Sequence, residues 1–282
     1  MNIKGSTNIV GLIGHPVEHS FSPPMHNAAF DALGMDYAYV AFDVNPNDLS
    51  SAIEGAKSLN IKGFNVTIPH KIEVMKHLDE LDDVARLIGA VNTIDFESMK
   101  GYNTDGIGAI RAIEEVTKVK GKDVIVAGAG GASRAMSFYL AKFGASSITI
   151  LNRNIERAQN LAGDVSASDL IADVSAGPIS EIGNLLGDAD ILVDTTPLGM
   201  DPHIDDEPIV RTEDMHEDLV VFDAVYNPNE TVLLREAIEA GAKPVYGIKM
   251  LLYQGAESFR IWTGRDAPVD VMENALNEFL GR

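Results

Sequence analysis

A strand, a glycine turn and a helix in immediate succession constrain this chain of 282 residues more than any other segment. The run is Val124-Ile125-Val126-Ala127, then Gly128-Ala129-Gly130-Gly131-Ala132, then a helical pattern through Phe143. Glycines at such a place let the backbone turn tightly and approach a pyrophosphate, whose charge falls on the free N–H groups and positive dipole end of the helix. Strand, loop and helix stand in the order a dinucleotide site requires, although Ser133 occupies the third fingerprint position, where Gly or Ala is usual. The plain alternative is a structural tight turn. Further strands are expected at 147–151, 191–194 and 219–223, with a helix at 155–161. That rhythm predicts a doubly wound α/β unit.

The end of the following strand points to the kind of dinucleotide. An NAD-type site would place Asp or Glu there to hold the ribose 2′-hydroxyl, but this chain has Asn152-Arg153-Asn154, with Arg157 one helical turn beyond Arg153. Two guanidinium groups in an otherwise acidic protein suit a 2′-phosphate, which predicts NADP. For Arg157 alone, pairing with carboxylates on its own helix is the competing reading.

The first third of the chain has a βαβαβ pattern, with strands expected at 8–13, 37–43 and 61–68 and helices at 23–33 and 47–59. A helical stretch through 87 and a strand at 91–96 follow, then a turn near Gly101 and a helix opening at Asn103-Thr104-Asp105-Gly106. Ser22 reads as the N-cap of the first helix, Pro23 as its first turn and Gly34 as its end. Two closing helices at 248–262 and 269–280 have no strands of their own to cover and are expected to fold back onto the first domain. The division expected is 1–104 plus 248–282 for one domain and 105–247 for the other.

Several polar residues fall at element ends, where open α/β sheets bind ligands. Ser20 and Ser22 follow the first strand, and their bland reading is capping. Alternation puts Asn65 and Thr67 on one face of a strand, with Lys71 just beyond its end. A lone lysine in such a place is usually a solvated surface group. Asn92 and Asp105, at two further element ends, turn the set into a polar pocket in which a lysine and an aspartate could exchange a proton with an alcohol or ketone oxygen. His15-Pro16-Val17-Glu18-His19 matches a zinc-protease string, but that chemistry needs a continuing helix, which Pro16 and Ser20 to Pro24 preclude. No metal is expected.

The 22 Lys+Arg against 42 Asp+Glu give a net charge of −20, which repels phosphate backbones, so neither nucleic acid nor an anionic membrane is an expected partner. Zero cysteines exclude disulfides, thiolate metal sites and a cysteine nucleophile, and suit a reducing compartment. No apolar run approaches the roughly 20 residues a membrane span needs. The cytoplasm is the expected location, with a small molecule as partner.

Taken together, the chain resembles the shikimate dehydrogenases. Ser20-Phe21-Ser22-Pro23, Asn65 to Lys71, Ala90 to Thr93, Asn103 to Gly106, Gly128 to Ala132, Asn152-Arg153, Asp223 to Pro228 and Gly247 to Gln254 follow that family's order and spacing over nearly the whole length. The resemblance implies a two-domain α/β fold: an N-terminal substrate domain and a Rossmann-type, doubly wound NADP-binding domain, with the active site in the cleft between them. It implies reversible, NADP-linked reduction of 3-dehydroshikimate to shikimate, in chorismate and aromatic amino-acid biosynthesis. Lys71 and Asp105 would be the catalytic pair. Ser20, Ser22, Asn65, Thr67, Asn92 and Gln254 would surround the substrate carboxylate and hydroxyls. Gly128, Ala129, Gly130, Gly131, Ala132, Asn152, Arg153 and Arg157 would hold the dinucleotide, with Thr196, Tyr226 and Gly247 near the nicotinamide.

In physical terms, hydride from NADPH would reach the C3 carbonyl carbon while Lys71 stabilises and protonates the developing alkoxide, held and tuned by Asp105. The family commonly has Gly-Leu-Gly-Met where this chain has Gly247-Ile248-Lys249-Met250, and a Met in the loop that here reads Asp223-Ala224-Val225-Tyr226. Serine rather than threonine at 22 argues, by the resemblance, for shikimate over quinate. A quinate or dual-specificity dehydrogenase is the nearest rival, and a non-catalytic nucleotide-responsive binding protein is a rival of another class. Gly106 and Gly247 are candidate hinges for domain closure. The oligomeric state is open, a homodimer included.

Overall fold

The computed structural model describes residues 3–170 and 172–280. In chain order the elements are β1 (Asn8–Gly14), α1 (Ser22–Ala32), β2 (Tyr37–Asp43), α2 (Leu49–Ser58), β3 (Gly63–Val66), β4 (Glu80–Leu81), α3 (Asp83–Ile88), β5 (Thr93–Asp95) and β6 (Lys100–Tyr102). They continue with α4 (Asp105–Glu114), β7 (Asp123–Ala127), α5 (Gly131–Lys142), β8 (Ser147–Asn152), α6 (Ile155–Ser166), β9 (Asp173–Pro178), α7 (Ile182–Leu185) and β10 (Ile191–Asp194). The last are β11 (Val220–Asp223), α8 (Val232–Glu239), β12 (Lys243–Tyr246), α9 (Gly247–Thr263) and α10 (Val269–Phe279). The chain forms two compact units: Met1–Thr104 with Leu252–Arg282, and Asp105–Leu251.

The first unit holds a six-stranded sheet in the order β2-β1-β3-β5-β6-β4. Strand β1 runs parallel to β2 and β3, whereas β5 is antiparallel to both of its neighbours. The helix expected through residue 87 is instead a 3-10 turn at Glu73–His77, then β4, then the short α3. Its apolar residues face the core, but the N–H groups of Asp79 and Glu80 bond to the carbonyl of Met99, so sheet pairing outcompetes the helix. Ser22 is also not the N-cap of α1: that position is Phe21, and it is the Ser20 hydroxyl that accepts the Ser22 N–H at 3.2 Å. Ser22 lies inside the first turn and is buried.

The closing helices cover this unit. Phe259 of α9 stacks on Phe30 of α1 with centroids 4.9 Å apart, and Phe279 of α10 meets Phe21 edge-on at 5.6 Å. The Trp262 indole donates to the carbonyl of Ile94 at 2.9 Å, which joins α9 to the sheet.

The second unit holds six strands in the order β12-β11-β10-β7-β8-β9, all parallel. Counted from β7, this is the Rossmann order, with its reversal between β7 and β10. Helices cover both faces of such a sheet, so the central strands are continuous apolar runs. Strands β10 and β11 are buried at every position. Strands β9 and β12, not anticipated from sequence, are edge strands with exposed Asp173 and Lys243, and each carries a proline, which a sheet tolerates only at its margin. Among the described residues, no helix is long and apolar enough to cross a membrane.

Phe222, fully buried in β11, tests the depth of this core. Phe222→Ala should cost about 3–5 kcal/mol, read as a lower urea midpoint at unchanged slope.

Candidate active site

In the first unit, three buried carboxamides gather around two threonines and a serine. Asn65, at the end of β3, donates from Nδ2 to the Asn92 carbonyl at 3.2 Å, to Thr93 Oγ1 at 3.1 Å and to Ser258 Oγ at 2.9 Å. Its Oδ1 accepts the Tyr39 hydroxyl at 2.8 Å. Asn92 Oδ1 accepts the Thr104 N–H at 2.7 Å and the Thr93 hydroxyl at 3.0 Å, while its Nδ2 donates to Thr104 Oγ1 at 2.9 Å. Gln254, on α9, stands at the edge of the cluster with Oε1 at 3.5 Å from Asn92 Nδ2. Burying so many polar groups is tolerable only because they satisfy one another.

The residues expected to bracket this cluster are fixed by backbone bonds. The Lys71 carbonyl accepts the Val91 N–H at 2.8 Å, and the preceding His70 is buried with Nε2 at 2.7 Å from the Val44 carbonyl. Lys71 itself is half-buried. Asn103 donates to the Ala90 carbonyl at 3.1 Å, and Thr104 is held by Asn92, so the chain is pinned at the two residues before Asp105. Thr67 is half-buried, its methyl directly over Gly14. Ser20 lies in the loop before α1, and Ser22 sits beside the Tyr39 hydroxyl. His15 and His19 of the zinc-like string lie in that same loop, where the His15 ring bonds Asp43 at 2.6 Å.

In the second unit, Gly128 follows β7 with φ of +107°, and a side chain there would strike the Thr195 hydroxyl. Ser133 explains its own place in the fingerprint: its hydroxyl accepts the Gly130 N–H at 3.1 Å and meets Thr195 Oγ1 at 2.5 Å. The serine braces the turn and ties it to the end of β10. Gly130 and Gly131 are exposed, with open space where a Cβ would stand, and Ala129 and Ala132 are half-buried beside them. Asn152 donates to the Asn154 carbonyl at 2.9 Å, and Asn154 caps α6. Arg153 and Arg157 are exposed, and among the described residues neither has an acidic partner. The Thr196 hydroxyl is buried beside the Asp194 carboxylate. A glycine turn at the helix start and two guanidinium groups without an acidic partner among the described residues fit a phosphorylated dinucleotide.

Comparison with known proteins gives the family. Residues 12–94 match the family model described as the shikimate dehydrogenase substrate binding domain, 111–230 that of shikimate / quinate 5-dehydrogenase, and 247–276 that of the shikimate 5'-dehydrogenase C-terminal domain. A shikimate dehydrogenase (NADP(+)) of Methanobrevibacter smithii is 70% identical over 278 residues, covering 99% of each chain. The chain belongs to the shikimate dehydrogenase family. A crystal structure of a shikimate dehydrogenase in complex with NADP+ has a TM-score of 0.93 at 51% identity, covering 100% of this chain and 98% of that one. The Thermus thermophilus shikimate 5-dehydrogenase in complex with NADP(H) and shikimate has a TM-score of 0.86 at 33% identity, covering 96% and 99%. The fold is therefore the two-domain shikimate dehydrogenase fold, a substrate-binding domain followed by a Rossmann-like domain.

Against the family pattern, one departure has a local explanation. Lys249, where the family commonly has glycine, turns its ammonium to Glu115 at 3.4 Å. Gly247 has no alternative: a Cβ there would lie within 2.7 Å of the carbonyl oxygens of Asp223, Ala224 and Val225. The Gly106 position would likewise press on Tyr139 and the Ala135 carbonyl. Both candidate hinges thus have a packing reason of their own. Tyr226 is exposed in the loop after β11.

Sequence reasoning missed Tyr39, Ser258 and a buried pair of acids in this member of the family. Ser258 follows Gln254 by four residues, hence on the same face of α9, and Tyr39 is a buried position on the part-exposed edge strand β2; neither reads as polar machinery until the fold joins them. Asp194 and Asp223 end β10 and β11 side by side. A carboxylate closing each of two apolar runs was the available signal. Asp194 accepts the Thr196 N–H at 2.8 Å, and Asp223 accepts the Val225 N–H at 2.9 Å and the Thr231 hydroxyl at 2.6 Å. These acids shape the loops that carry Thr196 and Tyr226.

Burial, with the Asp223 carboxylate beside it, pushes Asp194 up to about 8, and burial also raises Asp223. A raised folded-state value means that the folded chain holds its proton where the unfolded chain has lost it. The stability contributed is whole below about pH 4 and drains away as pH rises toward 8. Asp194→Asn keeps an acceptor for Thr196 and removes the titration. Its melting temperature should overtake the native one as pH rises from 5 to 8.5, with the wild type losing at most about 1.4 kcal/mol per pH unit relative to the variant.

Proposed function

We propose that this protein catalyses the reversible, NADP-dependent reduction of 3-dehydroshikimate to shikimate, with residues 1–104 and 248–282 as its substrate domain and 105–247 as its NADP-binding domain. The observation that carries the reading is the buried amide and hydroxyl cluster in the unit matched by the substrate-binding family model, joined in one chain to a Rossmann sheet with two arginines that have no acidic partner among the described residues. Such a cluster suits a small polyhydroxylated acid, because each ring hydroxyl needs a partner of complementary sense when it leaves water.

NADPH, when bound, supplies the hydride. Gly128, Ala129, Gly130, Gly131 and Ala132 would hold its pyrophosphate, Asn152, Arg153 and Arg157 its ribose phosphate, and Thr196, Tyr226 and Gly247 the nicotinamide end. Lys71 donates the proton that completes the new alcohol and takes it back in the reverse direction. Asp105 opposes the ammonium charge and orients it. Ser20 and Ser22 take the substrate carboxylate, and Thr67, Asn65, Asn92 and Gln254 the hydroxyls. The net charge of −20 supports a small-molecule partner rather than nucleic acid, and the zero cysteines support the cytoplasm.

Absorbance of reduced nicotinamide, followed with NADP+ and shikimate and with NAD+ and quinate in parallel, tests this reading. Lys71→Ala should lower kcat roughly 100- to 10,000-fold while NADP+ binding is retained. Preference for quinate would move the protein to the dual-specificity enzymes, and cofactor binding without turnover of either acid would make it a binding protein. Arg153→Ala should raise the KM for NADP+ roughly tenfold or more and leave the KM for NAD+ nearly unchanged. Equal losses for the two cofactors would remove Arg153 from the 2′-phosphate.

A further inference from the structure

The Asn65 carboxamide has one orientation available to it. One Nδ2 hydrogen faces the backbone carbonyl of Asn92 at 3.2 Å, a group that only accepts, so this end of the side chain is the nitrogen. The other reaches Ser258 Oγ at 2.9 Å, with Thr93 Oγ1 at 3.1 Å. Oδ1 therefore faces Tyr39, whose hydroxyl donates to it at 2.8 Å. A phenol has a single proton, and with that proton on Asn65 none is left for Ser22 beside it. Both amide hydrogens are thus engaged within the protein, and what Asn65 retains is acceptor capacity on Oδ1.

Tyr39 is itself immobilised. It is buried, and its ring stacks on His26 with centroids 4.4 Å apart and planes 1° from parallel. Burial drives the His26 imidazole down to about 3 and the Tyr39 phenol upward, so both are neutral across the working range and the phenol keeps its proton. Ser258 is held on the opposite side by its bond to the Gln254 carbonyl at 3.0 Å, one turn back along α9.

We propose that Tyr39 and Ser258 are positioning residues that lock Asn65 as a hydrogen-bond acceptor, so that this position selects a substrate hydroxyl able to donate a hydrogen. The inference rests on the functional reading above and adds the sense of one substrate contact and the two residues that set it. A ring position lacking its hydroxyl leaves the Asn65 oxygen without that partner. Turning the amide over to present hydrogens would set its oxygen against the Asn92 carbonyl. Discrimination at this position therefore depends on the lock and not on the asparagine alone.

Tyr39→Phe and Ser258→Ala release opposite ends of the amide and should be assayed side by side with shikimate, 4-deoxyshikimate and 5-deoxyshikimate at saturating NADP+, with melting temperatures recorded. In each variant the KM for shikimate should rise roughly three- to tenfold, with the loss falling mainly on KM rather than kcat and the KM for NADP+ unmoved. The kcat/KM preference for shikimate over the deoxy analogue that the wild type rejects more strongly should shrink by a similar factor. Folded variants that keep that preference intact, even with a lowered melting temperature, would overturn the proposal, since a merely structural role predicts that result. If one variant does not fold, the other decides by the same ratio. Wild-type protein that does not turn over shikimate defeats the functional reading and the proposal with it, whereas wild-type turnover with unchanged ratios defeats the proposal alone.

Discussion

The side-chain oxygen of Asn92 accepts the backbone N–H of Thr104 at 2.7 Å, and the polar interior of the first unit is oriented outward from that bond. A backbone N–H can only donate, so the Asn92 carboxamide has no freedom to turn over, and its nitrogen must face Thr104 Oγ1 and Gln254. The same logic, started from the Asn92 carbonyl, orients Asn65. Main-chain groups, whose polarity is invariant, thereby dictate the polarity of side chains that in isolation would be symmetric. In a buried setting of low dielectric, reversing any one of them would leave like poles facing each other, which is why the cluster behaves as a unit.

The second unit meets a related constraint by other means. Its central strands are buried on both faces, and β10 and β11 each end in an aspartate that caps the loop leaving the sheet. Two acids so close in an apolar setting do not both ionise readily, and their protons become part of the stability of the fold. The glycine turn is braced similarly, by Ser133 and Thr195 rather than by close packing of a third small residue. A serine there departs from the usual fingerprint without departing from its geometry. Fold alone does not specify chemistry, and the family to which this chain belongs includes quinate as well as shikimate in its description.

Much of this was legible beforehand, element by element. The strand, glycine loop and helix at 123–142, the arginines after β8 and the polar residues at the ends of β1 and β3 were readable because each rests on short-range rules of turn chemistry and periodicity. The segment at 73–88 reads as one helix because its apolar residues satisfy a helical pattern, and only pairing of Asp79 and Glu80 with Met99 reveals the short strand that interrupts it. Edge strands β9 and β12 were invisible for a related reason: a half-exposed strand carrying polar residues and proline has no pattern of its own until a neighbour pairs with it. Ser22 reads as a cap because a serine before a proline is one by default, whereas Ser20 reaches the orphan N–H first.

By itself the sequence determined the class of each unit and which charged and polar residue types stand at the strand ends. Those properties are local, and backbone sterics, helix periodicity and side-chain charge act over a few residues. Only the tertiary structure decided that Tyr39, Asn65, Asn92, Thr93 and Ser258 form one network, that Lys249 turns to Glu115, and that Asp194 lies beside Asp223. Residues 193 apart in the chain share one hydrogen bond between Asn65 and Ser258. Its direction depends on which neighbours have already spent their donors, and those neighbours are assembled only when the sheet and the closing helix pack together.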